Sequence, residues 1–282
     1  MTIATIDDEQ VQVEDIEIQL LLEAIYLKYG YDFRQYSKSS IKRRIQHRQL
    51  MADIPSLAIM QQQILRDRQL FLDLLADLTI NVTEMFRDPT FYAAFKRQVI
   101  PLLETHPFVK IWHAGCSTGE EVYSMAIMLQ EAGLSERCRI YATDIDQGVL
   151  QQAKKGIFPL ANLTQYSENY RLSGGLRRLE DYYTARYDHV LLDHKLRKNI
   201  VFADHDLVTD QVFGEMHVII CRNVMIYFDK ELQKRVFQLF ADSLDLAGVL
   251  CLGSKETLRH SGLEQQFRTL DKDQRIFQKT GH

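Results

Sequence analysis

The sequence is poor in the features that would place it at once. Its four cysteines, Cys116, Cys138, Cys221 and Cys251, are far apart and form no Cys-x-x-Cys pair. That argues against a disulfide framework or thiolate metal site, and reduced, buried thiols in a cytoplasmic protein are the simplest reading. No stretch is apolar enough to span a bilayer, and the N-terminus carries Asp7, Asp8, Glu9, Glu14, Asp15 and Glu17 where a signal peptide needs a basic start and an apolar core. Charge of one sign is also lacking. The 282 residues hold 34 Lys and Arg against 38 Asp and Glu, a net charge of -4, so there is no global pull toward nucleic acid or anionic membranes. There is no internal repeat and no low-complexity tract. The nine histidines show no ligand spacing, and Asp204-His205-Asp206, read as consecutive strand residues, would point to alternate faces and could not share one metal ion.

What is present is a composition, 46% hydrophobic and 26% charged, able to bury a sizeable core in about two domains. Residues 1–17 read as an acidic, mobile tail. From Ile18 to about Ile80, apolar residues recur at three- and four-residue spacings, as in Ile18, Leu21, Leu22 and Ile25, which predicts helices. Gly30 ends the first, Ser39 or Ser40 caps the next, and Asp53 with Pro55 separates a third. A helical domain with its linker is therefore expected over 18–88.

Over 89–282 short apolar runs alternate with helical stretches. Strands are expected at Val109–His113, Arg139–Thr143, Asn199–Ala203, Met216–Cys221, Gly248–Leu252 and Arg275–Gln278, and helices at Gly119–Ala132, Gln147–Lys154 and Lys230–Asp245. Such alternation predicts an α/β domain with a doubly wound, mostly parallel sheet. Residues 157–198, rich in aromatic and β-branched types, interrupt it as a small antiparallel insertion on the sheet's edge.

The segment Trp112-His-Ala-Gly-Cys-Ser-Thr-Gly119 follows a strand and opens a helix at Glu120-Glu121. Gly115 and Gly119 permit positive φ and close backbone approach to a ligand. No Lys-Ser/Thr follows the second glycine, which excludes a P-loop. Two carboxylates at the helix start disfavour a pyrophosphate and suit a cationic ligand or ribose hydroxyls. Asp144, ending the next strand about twenty-five residues on, is the ribose candidate. A plain strand-to-helix turn with favourable first-turn charges is the alternative.

Four motifs in order, Asn81-Val-Thr-Glu-Met-Phe-Arg-Asp88, Ala114-Gly-Cys-Ser-Thr-Gly-Glu-Glu121, Ala142-Thr-Asp-Ile-Asp146 and Cys221-Arg-Asn-Val-Met-Ile-Tyr-Phe-Asp229, carry a resemblance. Together, over about Ile18 to Lys279, they resemble the CheR family of chemotaxis receptor methyltransferases. The resemblance implies a class I S-adenosylmethionine-dependent methyltransferase sheet, an N-terminal helical domain and an inserted β-subdomain. It further implies methyl transfer to glutamates in the cytoplasmic helical domain of a membrane chemoreceptor, with S-adenosylhomocysteine as product, no metal and a cytoplasmic location. By the same resemblance Asn81, Thr83 and Arg87 contact the cofactor, Glu121 and Asp144 hold its amino acid and ribose, and Asp206, Leu207, Arg222 and Asn223 complete the pocket. Arg87 and Tyr227 face the methyl group and its acceptor. The absence of an Asn/Asp-Pro-Pro-Tyr segment after Cys221 favours oxygen over nitrogen as acceptor.

The chemistry is compatible. A glutamate is already a carboxylate nucleophile at neutral pH; what it needs is positioning, by an Arg that grips it and a hydroxyl that fixes its second oxygen. Structural alternatives exist: Arg87 pairing with an acid at the domain junction, Tyr227 as a core aromatic, Asn81 and Thr83 as caps of the helix carrying Phe91 and Phe95. Lys42, Arg43, Arg44, His47 and Arg48 crowd one helix whose buried side would carry Ile41, Ile45 and Leu50. They form a candidate docking surface for an acidic receptor helix, or else a solvated face. Three departures from the family pattern stand out: Val122 where Pro is usual, Gly253-Ser254-Lys255-Glu256 where Gly-His-Ser-Glu is usual, and Asp206 where Asn is frequent. In some members of the family it resembles, a glycine-containing loop of the insertion accompanies binding of a receptor tether; Tyr182–His189 here lacks glycine, so the resemblance implies an enzyme that does not bind one. Other acceptors, a different signalling protein or a small acid, and a non-catalytic cofactor-sensing or scaffolding role, are the rival readings.

Overall fold

The computed structural model describes residues Ile6–Gly281, with side chains from Gln12 onward, and these form two compact units. The first runs through Ile80 and takes in Tyr227–Leu232; the second holds Asn81–Ile226 and the chain from Gln233.

In the first unit lie α1 (Ile6–Tyr29), α2 (Lys38–Met51), α3 (Leu57–Ile64) and α4 (Arg68–Thr79). Their ends have local causes. Gly30, at φ 83°, gives its N–H to the Tyr26 carbonyl and closes α1. Ser56 accepts from Ile59 N to start α3, and Asp67 accepts from Gln69 N and Leu70 N to start α4. Ser37, rather than Ser39 or Ser40, stands at the start of α2. Leu21, Ile25, Ile41, Ile45, Met60, Ile64, Leu74 and Leu78 are buried. Two expectations change. The acidic stretch is helical from Ile6, and Glu14 ties it to α2 through Lys42 at 2.6 Å and through Gln46; residues 1–5 of that stretch lie outside the described residues. Leu50, expected on the buried side of α2, is 79% exposed.

The second unit continues with α5 (Pro89–Gln98), α6 (Ile100–Glu104), β1 (Val109–Ala114), α7 (Glu120–Glu131), β2 (Cys138–Asp144), α8 (Gln147–Lys155), β3 (Ile157–Pro159), α9 (Leu163–Leu172), β4 (Tyr183–Arg186), β5 (His189–Leu192), α10 (His194–Arg197), β6 (Ile200–Asp204), β7 (Met216–Cys221), α11 (Lys230–Ser243, of which Lys230–Leu232 falls in the first unit), β8 (Leu244–Leu252), β9 (Phe267–Asp271) and β10 (Ile276–Lys279). Seven strands form one sheet in the order β6-β2-β1-β7-β8-β10-β9. The pairs from β6 to β8 are parallel, and β10 is antiparallel to both neighbours. This is a doubly wound α/β sheet. The chain leaves β1 toward β2 and β6, then returns to β7 on β1's other side, so the strand order reverses at β1 and β7, where such sheets bind ligands. Strands β1 and β7 are buried along nearly their whole length, hence their continuous apolar runs.

The insertion forms a sheet of its own, β3-β5-β4, antiparallel throughout. It also contains a helix, α9, that the aromatic-rich composition concealed. Tyr166 and Tyr170 of α9 and Tyr182 share a hydrophobic core with Tyr123 and Ile127 of α7. Glu131, ending α7, accepts from Tyr182 Oη at 3.0 Å, from Leu176 N at 3.0 Å and from Tyr170 Oη, so one carboxylate fastens the insertion to the main fold.

Candidate active site

The turn after β1 is fixed by hydrogen bonds to the end of β2. Gly115 N and Cys116 N both donate to the Thr143 carbonyl, at 2.8 and 2.9 Å. Ser117 takes φ 50°, and its N–H reaches Asp144 Oδ2 at 2.8 Å. Gly115 has φ 78°, and a Cβ built there would lie 2.4 Å from Val224 Cγ2 in the loop after β7. Glycine is therefore required twice over, by conformation and by space. Gly119, at φ 96°, starts α7.

Asp144 is buried; its second oxygen accepts from Asp146 N at 3.0 Å. Burial raises its carboxyl to about 6, against the opposing pull of those backbone N–H groups. Asp146, which the sequence reading passed over, starts α8 by accepting from Gly148 N at 2.7 Å and takes Asn81 Nδ2 at 3.3 Å. Ser117 Oγ meets Asn81 Oδ1 at 3.5 Å. Asn81, Ser117, Asp144 and Asp146 thus converge at the ends of β1 and β2.

A second cluster lies at the start of α7, where the adjacent glutamates diverge. Glu120 is buried and accepts from Thr118 Oγ1 at 2.6 Å; burial raises its carboxyl. Glu121 meets Arg222 Nη1 at 2.8 Å and His113 Nδ1 at 3.3 Å. Burial opposes its charge, but Arg222 and His113 together hold the carboxyl below the usual carboxylate range. Arg222, buried, also pairs with Asp88 at 2.6 Å and lies 4.1 Å over the Phe91 ring. The arginine that resemblance placed in the pocket wall is thus the counter-ion of Glu121. Next to it, Asn223 takes φ 62°, and the loop it opens is held by Glu256. That buried carboxylate accepts from Gly253 N at 2.6 Å, Asn223 N at 3.2 Å, and Val224 N and Met225 N at 2.9 Å each. Neither Glu256 nor His113 was singled out from sequence. His113 shares β1's buried face with Ile111, a polar residue in an apolar alternation, which is the signal that could have found it.

Residues 81–276 match the family described as CheR methyltransferase, SAM binding domain, and residues 16–79 match its all-alpha domain. The chain belongs to the CheR methyltransferase family. A Pseudomonas putida protein named as a methyltransferase, Cher3, is 53% identical over 94% of this chain and 97% of its own length. The Chemotaxis protein methyltransferase of Listeria innocua is 32% identical over 81% of this chain and 85% of its own, and the Chemotaxis protein methyltransferase 2 of Pseudomonas aeruginosa is 31% identical over 87% and 88%.

As a CheR methyltransferase the chain uses S-adenosylmethionine, and the residues present fit that ligand. Each Asp144 oxygen accepts one backbone N–H and retains acceptor capacity for hydroxyls. Arg222, which could have met a pyrophosphate, is committed to Glu121 and Asp88. Among the described residues no helix is long and apolar enough to cross a membrane, and no group of three or more His, Cys, Asp or Glu could hold a metal.

Other CheR-pattern residues are placed as follows. Thr83 is half-buried, and the helix it was weighed as capping begins instead at Asp88 and Pro89. Arg87 is half-buried, donates to the Val82 carbonyl at 3.1 Å and makes no ion pair among the described residues. Asp206 Oδ1 accepts from Val208 N and Oδ2 from Thr209 Oγ1, and Leu207 is buried. Strand β6 ends at Asp204; that residue binds Gln147, and His205 binds the Gln211 carbonyl, so the triplet's side chains have separate partners although they do not share a strand.

Tyr227 belongs to the first unit, where its carbonyl accepts from Ser37 N at 2.8 Å and its ring lies 4.4 Å from the Arg44 guanidinium carbon. Arg44, expected on the docking surface, is buried at 5% exposure and donates to the Leu78 carbonyl; burial pulls its pKa down. Arg48 pairs with Asp77 at 2.6 Å and Lys42 with Glu14. Arg43 and His47 remain exposed.

Proposed function

We propose that the chain transfers the methyl group of S-adenosylmethionine to glutamate side chains in the cytoplasmic helical domain of a bacterial chemoreceptor, giving the methyl ester and S-adenosylhomocysteine. The observation that carries this reading is Arg87. It lies in the interdomain motif, next to Asp88 and the Arg222–Glu121 cluster, with a guanidinium that no carboxylate among the described residues engages. An arginine held by one carbonyl and without an ion pair suits a carboxylate that arrives with the substrate. S-adenosylmethionine supplies a sulfonium-bound, electrophilic methyl group. Arg87 orients the acceptor carboxylate, Tyr227 donates its hydroxyl to the second oxygen, Asp144 takes the ribose hydroxyls, and Asn81, Thr83, Gly115, Glu121, Asp206, Leu207 and Asn223 shape the cofactor pocket. No proton has to be removed from the acceptor. The names of the Listeria and Pseudomonas aeruginosa relatives support the chemotactic setting. Arg43 and His47 on α2 are the part of the basic helix left to meet an acidic receptor helix.

The test is transfer from labelled S-adenosylmethionine to receptor-containing membranes of the source organism. Base-labile label on glutamates is expected, with Arg87→Ala and Tyr227→Phe each losing most of it, the Tyr227 variant while still binding cofactor. Label on small acids with none on protein refutes the acceptor, and full turnover in both variants refutes the residue roles.

A further inference from the structure

Strands β9 and β10 close one edge of the large sheet. Ile276 and Gln278 of β10 are buried and Ile276 joins the main hydrophobic core. Phe277, between them, faces the opposite side. On that side lies a cavity of about 210 Å³, walled by the hairpin and by the 257–264 loop. Its floor is apolar, from Leu258, Phe267 and Phe277, and its rim carries Arg259, Lys272 and Arg275. None of these three cations has an ion-pair partner among the described residues, whereas α2's Lys42 and Arg48 are both paired. Thr257, whose hydroxyl accepts from Arg259 N, and Thr269 also line the cavity, with one carboxylate, Glu264.

Three unpaired cations around an apolar floor, in a chain of net charge -4, select for an anion with an apolar neighbour. Ligand pockets for cofactors span roughly 300–1,000 Å³, so this one is too small for a nucleotide and of a size for one or two side chains. Glu264 disfavours a polyphosphate more than a single carboxylate, and the buried Phe267 gives no open ring for base stacking. We propose that this groove docks an acidic segment of a partner protein, one Asp or Glu reaching Arg259, Lys272 and Arg275 and an adjacent apolar side chain resting on Phe277. Docking here does not require that the docked carboxylate be the methylated one.

Fluorescence anisotropy of the full chain with a labelled decapeptide of alternating glutamate and leucine tests this. Its lysine–leucine counterpart and a single-stranded oligonucleotide serve as further probes, and inorganic phosphate as competitor. The wild type is expected to bind the acidic peptide in a salt-sensitive way. Arg259→Glu with Lys272→Glu, both at exposed positions, weakens it at least tenfold and gains affinity for the lysine peptide, with S-adenosylmethionine binding unchanged. Arg139→Glu on β2, another exposed position, leaves peptide binding as it was. The proposal is overturned by no binding at millimolar protein, by equal binding in wild type and double variant, by an equal loss in the β2 variant, or by tighter binding of the oligonucleotide or phosphate than of the peptide.

Discussion

Replacing Gly115 with alanine tests whether the β1 turn and the loop after β7 are packed against one another as described. The new Cβ would sit 2.4 Å from Val224 Cγ2 and 3.3 Å from Cγ1, whereas carbon atoms prefer roughly 3.5–4.0 Å. Two separable costs follow. An L-residue at φ 78° costs about 1–2 kcal/mol, and forcing an extra methyl into a packed site costs a further ~1–3 kcal/mol. At roughly 2–4 °C per kcal/mol for a protein of this size, the melting temperature should fall by about 4 °C or more. The decisive experiment is a double-mutant cycle with Val224→Ala, which removes both offending methyls. In that background Gly115→Ala should retain the backbone cost and shed the steric one, a coupling of ~1–3 kcal/mol. Calorimetry gives the stabilities and equilibrium titration the S-adenosylmethionine affinities, which should fall in the single variant and partly recover in the double. An equal loss in both backgrounds would show that the two loops do not touch, and the steric reason for glycine would be wrong.

Three other outcomes are expected. The Asp144 carboxyl is raised by burial to about 6, so between its unfolded value and that pH the folded state holds a proton the unfolded chain has lost, and stability falls as pH rises through this window. Cofactor affinity should move the other way, weakening by about tenfold per pH unit below 6, and titrations of Asp144→Asn should lose that dependence. Arg222→Met leaves Glu121 and Asp88 without their shared cation; a loss of about 3–5 kcal/mol is expected by denaturant unfolding, partly restored by adding Glu121→Gln. Glu256→Gln replaces an acceptor of four N–H groups by one half of which is itself a donor. A cost of about 2–3 kcal/mol should appear with weakened S-adenosylmethionine binding, and wild-type affinity in this variant would contradict the role given to Glu256.

How far the sequence could be read depended on whether a residue's surroundings leave a local trace. Strands β1 and β7 were legible because burial on both faces demands continuous apolar runs. Strand β9 was not, since Arg268 and Thr269 are exposed at the sheet's edge and break the run. Helix α9 was missed because its buried Tyr166 and Tyr170 have side chains common in strands, and its helical spacing was overlooked among them. Arg44 was misplaced, although Ile41, Arg44, Ile45 and Arg48 follow the i, i+3, i+4, i+7 pattern of one helix face; charge was weighted above position. Asp144 and the glycines were found because a strand-to-turn junction constrains its own residues. The partnership of Arg222 with Glu121 spans 101 positions, and no local pattern records it.

The Glu256 clamp has a consequence for the turn it closes. Its carboxylate grips Gly253 N at one end of the turn and the loop after β7 beyond it, while Ser254 and Lys255 project outward. Both ends of the turn are therefore anchored, and the two positions between them can change chemistry without shifting the backbone that Glu256 holds. That makes residues 254 and 255 an interchangeable seat, where a charged side chain is carried in solvent without cost to the turn beneath it.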